Sequence, residues 1–245
     1  MPSRSGTKNP IRLTAGAAGT HRSPVGVTVS CPRCGGSVRP PDLMHPDWRC
    51  DPCGPVAPLH VAEHIGPEIV ESVTSHTANG HSRIPLWCPW PLLPGWTVTG
   101  VGWAGDERAG VRATALACSG PAPLGDGPAD VVLVAEEPGV GLGTRLAGLP
   151  GLDCGELLGS AMAAASGAHA KIKVGGHPTP LWSVKSPADR SAYAGEARGM
   201  WLYAVAWPAS AGYLFAEHVV LHDLSDWVPP ELVYGAPSPY LHGRA

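Results

Sequence analysis

Charge is scarce in this sequence. Only 15% of its 245 residues are Asp, Glu, Lys or Arg, and the formal net charge at neutral pH is -3. A protein that coats nucleic acid needs a strong positive field, so that class is disfavoured from the outset. No run of about 20 apolar residues occurs, and no membrane-spanning helix is expected. Residues 1–22 carry Arg4, Lys8, Arg12 and Arg22 but lack the apolar core of a secretory signal. The expectation is a cytoplasmic chain whose thiols stay reduced. There is no fixed-period repeat and no serine in a G-x-S-x-G elbow.

Glycine (32) and proline (28) are abundant, which favours short strands and many turns over long helices. Hydrophobic content of 44% excludes a wholly disordered chain, and the length suffices for one or two domains with a real core.

Seven cysteines divide into a paired motif and three scattered residues, Cys88, Cys118 and Cys154. The pairs are Cys31/Cys34 in "SCPRCGG" and Cys50/Cys53 in "CDPCG", with fifteen residues between them. One Cys-x-x-Cys turn sets two sulfurs on one side, and a second closes a tetrahedron, so the spacing predicts a zinc ribbon. Gly35 and Gly54 follow the second cysteine of each pair, where the tight turn favours left-handed backbone. Four thiolates saturate Zn2+ and leave no position for water or substrate, so the predicted role of Cys31, Cys34, Cys50 and Cys53 is structural. Zinc binding in such peptides is worth about 10–16 kcal/mol, far above what so short a segment gains by packing. His45, with all four thiols present, is expected at the surface. Arg33, Arg39 and Arg49 are balanced by Asp42, Asp47 and Asp51, and four thiolates on zinc add a formal charge of about -2. Nucleic acid as a partner is therefore only weakly supported.

Four segments are expected. Residues 1–24 read as a disordered basic tail, 25–60 as the zinc ribbon, 61–83 as a linker and helix, and 84–245 as an antiparallel α+β domain. Pro67 suits a first helical position, Ile69, Val70 and Val73 share a face, and Asn79-Gly80 is a stop signal. In "IPLWCPWPLLPGW" (84–96) the prolines preclude a helix, and its tryptophans are expected to cover the seam between helix and sheet. Residues 96–104 and 111–119 read as a hairpin around a polar turn. "DVVLVAEE" (130–137) and "GMWLYAVAW" (199–207) read as interior strands, and "HAKIKV" (169–174) alternates. Asp153 and Glu156 mark the start of one modest helix.

Other patterns carry less. "HVAEH" (60–64) matches the inverted zinc-protease motif, but Pro58 and Gly66-Pro67 leave it barely two turns of helix. "EEPGVGLGTR" (136–145) sets Gly139, Gly141 and Gly143 after a strand, where amides and Arg145 would suit a phosphate. Its two acidic residues and the absence of a following βαβ unit favour an ordinary loop. Cys118 reads as a small buried hydrophobe, and His169, His177, His218 and His222 fall on separate elements. No catalytic residue is assigned, and no cofactor-binding residue beyond the four cysteines.

Together "SCPRCGG", "PLWCPWPLLPGWTVTGVGWAGDERAG", "VLVAEEPGVGLGTRLAG", "GHPTPLW" and "WLYAVAWP" resemble a family of uncharacterised actinobacterial proteins that begin with a zinc ribbon. The resemblance spans about residues 29–240. Some members carry the label phosphotransacetylase, which implies an acyl- or phosphoryl-group transferase as an alternative and supplies no catalytic residues. Some relatives lack part of the second knuckle, whereas "CDPCG" is complete here. The leading expectation is an intracellular zinc-ribbon protein that binds an unknown protein or small ligand; the alternatives are the transferase and a nucleic-acid-associated regulator.

Overall fold

The computed structural model describes residues 26–78, 83–125, 127–164, 167–216 and 219–242. The tail over 1–24, Asn79-Gly80 and His218 lie outside them.

Most of the chain is one large, antiparallel-rich sheet with few helices. Its strands are β1 (Val27–Ser30), β4 (Leu59–Ala62), β5 (Trp87–Pro89), β6 (Thr97–Asp106), β7 (Gly110–Pro121), β8 (Pro128–Glu136), β9 (Ala170–Val174), β10 (His177–Val184), β11 (Ser191–Ala197), β12 (Met200–Trp207) and β13 (Val220–Asp223). They lie in the order β1-β4-β6-β7-β8-β12-β11-β10-β9-β13-β5. The β9–β13 pair is parallel and the others are antiparallel.

The hairpin expected around "GDERAG" is β6–β7. Asp106 closes its tip by accepting the amides of Arg108 (3.0 Å) and Ala109 (2.7 Å), the side-chain mimicry of a turn that favours Asp there. β8 is buried over Ala129–Glu136, and in register with it β12 is nearly as apolar on both faces. Both faces are covered, as a continuous apolar run requires. On one face Val98, Leu116, Leu133 and Leu202 pack with Leu86, Trp87, Ile172 and Leu221 from the far end of the same sheet. The sheet thus curls over until β5 lies against β7 and β8. Helix α1 (Pro67–Ala78) adds Ile69, Val70 and Val73 to this core. On the other face Val132, Val134, Tyr203 and Val205 are covered by α2 (Leu142–Ala147) and α3 (Gly155–Ala164), through Leu142, Leu146 and Leu158.

The tryptophan-proline segment departs from expectation. Trp87, Cys88 and Pro89 form strand β5 in register with β13, which was not expected, while Trp87 and Trp96 are buried in the core that α1 shares with the sheet. Prolines flank these residues, and an edge strand is where a sheet tolerates them. The expected boundary at residue 60 also shifts, because it falls inside β4. β1 pairs with β4 (Val29↔His60), and β4 pairs with β6 (His60↔Trp103). The cysteine segment is an excursion between two strands of the main sheet. Within it β2 (Arg49–Cys50) and β3 (Gly54–Pro55) make a separate two-stranded ladder. Among the described residues no helix is long and apolar enough to cross a membrane.

Candidate metal centre

β1 runs directly into the first knuckle. The Cys31 amide donates to the Gly36 carbonyl (2.7 Å) and the Gly35 amide to the Cys31 carbonyl (2.8 Å), folding the turn back on itself. The second knuckle is the turn of the β2–β3 ladder, where Cys50 pairs with Gly54. Gly35 and Gly54 hold φ of 75° and 73°, a left-handed backbone that a Cβ would disfavour. The sequence located both positions correctly.

These turns bring the sulfurs of Cys31, Cys34, Cys50 and Cys53 within 4.8 Å of one another, with Cys34 and Cys50 Sγ 3.5 Å apart. A tetrahedron with metal–sulfur bonds of about 2.3 Å has sulfurs roughly 3.8 Å apart, so the group fits one metal ion. It is the one such ligand group among the described residues. Burial pushes the thiols of Cys31, Cys50 and Cys53 upward. Burial acts the same way on Cys34, but the Gly36 amide and the neighbouring thiols outweigh it and lower that group. A cation at the centre would relieve the desolvation of all four.

Two arginines clasp the module to the body. Arg33, between the first two cysteines, donates through Nη2 to Gly139 O (3.0 Å), through Nε to Val140 O (3.3 Å) and through Nη1 to Cys53 O (3.2 Å). Arg145, on α2, reaches the other way and donates through Nε to Pro32 O (2.8 Å). Burial lowers its pKa, and the nearby Cys31 and Cys34 act against that. A divalent ion in four thiolates carries a net charge of about -2, and the Arg145 guanidinium is placed to offset it. Trp48 packs edge-on against His60, 6.4 Å between ring centroids, and His60 stacks on Trp103 at 5.2 Å. Arg108, from the β6–β7 tip, donates to Pro46 O (2.9 Å).

The glycine-rich loop is already occupied by the chain's own carboxyl group. Glu136 Oε2 accepts the amides of Leu142 (2.8 Å) and Gly143 (3.1 Å), the groups a phosphate would need. The Glu136 side chain is fully buried, and burial raises its pKa to about 7 against the pull of those amides. Gly143 is glycine because a Cβ there would overlap the Tyr203 ring. Gly139 and Val140 spend their carbonyls on Arg33, and Arg145 faces the thiolates.

The remaining sequence candidates do not converge. His60 sits on β4, its Nε2 3.1 Å from Gly105 O, and burial lowers its pKa to about 4; Glu63 and His64 lie beyond the strand, so no helix carries the protease pattern. Glu137 pairs with Arg112 (2.8 Å). His169 accepts the Ser183 amide (3.0 Å), and His177 and His222 are on different strands. Cys118 is buried, as expected, beside Cys88. Of the three arginines weighed for nucleic acid, Arg33 turns inward, away from Arg39 and Arg49, which stand opposite each other in an antiparallel bridge with Arg39 paired to Asp51. Sequence reasoning missed the clasp and the buried group of Glu136, Cys154 and Tyr203. One signal for the latter was present, a carboxylate ending an apolar strand immediately before a glycine-rich turn.

Fold and site define a curled, antiparallel-rich sheet that carries, on one edge, a four-cysteine module able to hold a metal ion. Residues 25–241 match the profile of a family of unknown function (DUF6758), and the chain belongs to that family. No curated protein and no solved structure matches it.

Proposed function

We propose that this is a zinc-ribbon protein with a binding role, in which Zn2+ held by Cys31, Cys34, Cys50 and Cys53 shapes the ribbon and performs no reaction. The observation that carries it is the donor set. Four sulfurs converge, enough to fill a tetrahedral shell, whereas a catalytic zinc keeps a position open.

The outward side of the ribbon supports the binding role. Asp42 closes the tip by accepting the amides of Met44 and His45, both at 2.8 Å, while its own amide donates to His45 O (2.8 Å). This turn holds Leu43 and Met44 clear of the body, at 104% and 83% exposure. Two apolar side chains on a braced turn suit an apolar pocket of a partner protein better than open solvent.

Metal analysis of the purified chain should find one zinc per chain. Leu43→Asp with Met44→Asp should keep that zinc and abolish retention of the partner recovered on wild-type protein from native extract. An unchanged set of retained proteins would overturn the role given to the tip, and a chain free of zinc would overturn the metal assignment.

A further inference from the structure

The four sulfurs are not equivalent. Cys31 and Cys50 are buried and Cys53 is half-buried, but Cys34 is exposed. Beside it lies a depression of about 230 Å³ lined by Thr28, Ser30, Cys34, Arg145, Leu241 and His242 among others. This depression gives a small molecule a path to one sulfur of the centre, with a guanidinium in its wall. Oxidation of a cysteine requires access, and the other three sulfurs are less open to it than Cys34. Across the centre, Cys50 Sγ stands 3.5 Å from Cys34 Sγ, and a disulfide needs about 2.05 Å. The partner sulfur belongs to the other knuckle, so the bond would lock the two knuckles to each other.

From this geometry we propose that Cys34 is a site of oxidation by hydroperoxides, with Cys50 as the residue that closes on it. The Cys34 thiolate attacks one peroxide oxygen; the S–O bond forms, the O–O bond breaks, and the alkoxide or hydroxide leaves with a proton from water. The sulfur loses two electrons and the peroxide gains them. The Cys50 thiolate then attacks Cys34 Sγ, forming the S–S bond and expelling hydroxide, which is protonated. Two thiolates, one hydroperoxide and two protons yield one disulfide, one alcohol (water, for hydrogen peroxide) and one water. Only Cys31 and Cys53 then remain as ligands, too few to close a tetrahedron. Loss of zinc is the consequence, and that consequence alone rests on the metal assignment above.

The test uses the full chain, treated with hydrogen peroxide or an alkyl hydroperoxide. Zinc release is followed with a metallochromic indicator, and cysteine pairing by peptide mass mapping. Tryptic cleavage after Arg33 and Arg49 places Cys31, Cys34 and Cys50 on three separate peptides, and fragmentation separates Cys50 from Cys53. The expected result is a Cys34–Cys50 bond that accumulates in step with zinc release and reverses with a dithiol reductant. Alkylation of untreated protein should mark Cys34 about tenfold faster than Cys31. Oxidation that starts at Cys31 or Cys53, or zinc loss with Cys34 still reduced, would overturn the inference. A chain that purifies without zinc would overturn the metal assignment instead, and the peptide map would still decide whether Cys34 and Cys50 pair.

Discussion

Leu133, in the middle of β8, and Cys50, in the second knuckle, are equally buried at 2% exposure each. Their surroundings differ completely. Leu133 belongs to a core that draws on nearly every strand of the sheet and on α1. Cys50 shares its cluster with Cys31 and Val56 as buried members, and Val38 and Cys53 lean on it from outside. Burying one aliphatic side chain is worth about 1.5–3 kcal/mol. A handful of such contacts does not offset the entropy of ordering the segment between β1 and β4, at roughly 1–2 kcal/mol per residue. With the zinc centre proposed above, the same burial means packing in one region and metal ligation in the other. The sheet has its own core, whereas the module would depend on the proposed ion and on the two arginines that fasten it.

Removing a ligand should separate the two regions most sharply. Cys50→Ser is expected to abolish metal binding, a contribution of about 10–16 kcal/mol in comparable peptides. In hydrogen exchange, amides over 31–56 should lose protection while β7, β8 and β12 keep theirs. Because β1 and β4 are sheet strands, protection there should fall by an intermediate amount; a module that stays protected without metal would equate the two regions.

A smaller effect is expected from Glu136, where sheet and module meet. Its carboxyl is raised from 4.5 to about 7 in the folded chain. The folded state then holds a proton that the unfolded state has released. The associated stability is full below about 4.5 and is lost as pH rises through about 7, at most about 3 kcal/mol in all. Glu136→Gln should remove this slope. Subtracting variant from wild-type urea-unfolding curves across pH cancels other titrating groups, His60 included, and equal slopes would contradict the assignment.

The smallest change is expected at Arg145→Leu. The thiolates remain, but the charge set against them and the bond to Pro32 O are lost. Metal affinity, read by competition with a chelator, should weaken about 10–100-fold with the sheet's unfolding midpoint little changed.

What was legible in the sequence follows the same division. The Cys-x-x-Cys spacing and the glycines at 35 and 54 encode the knuckles locally, so the four-cysteine group could be read before any fold was known. The long strands were legible too, because the apolar runs over 130–137 and 199–207 fit only an interior position. The clasp was not, because Arg33 contacts Gly139 and Val140 more than a hundred positions away, and a guanidinium flanked by cysteines looks like any surface arginine. Strand β5 was obscured by its prolines, and the glycine-rich loop looked open because nothing local showed that Glu136 would fold back onto its amides.

The proposed centre is one zinc ion saturated by four thiolates at the sheet edge. X-ray absorption at the zinc edge on the purified chain measures this directly. Saturation by thiolates requires four sulfur neighbours at about 2.3 Å and no lighter atom in the shell. An oxygen or nitrogen at about 2.0–2.1 Å would mean an open or mixed site and would contradict it.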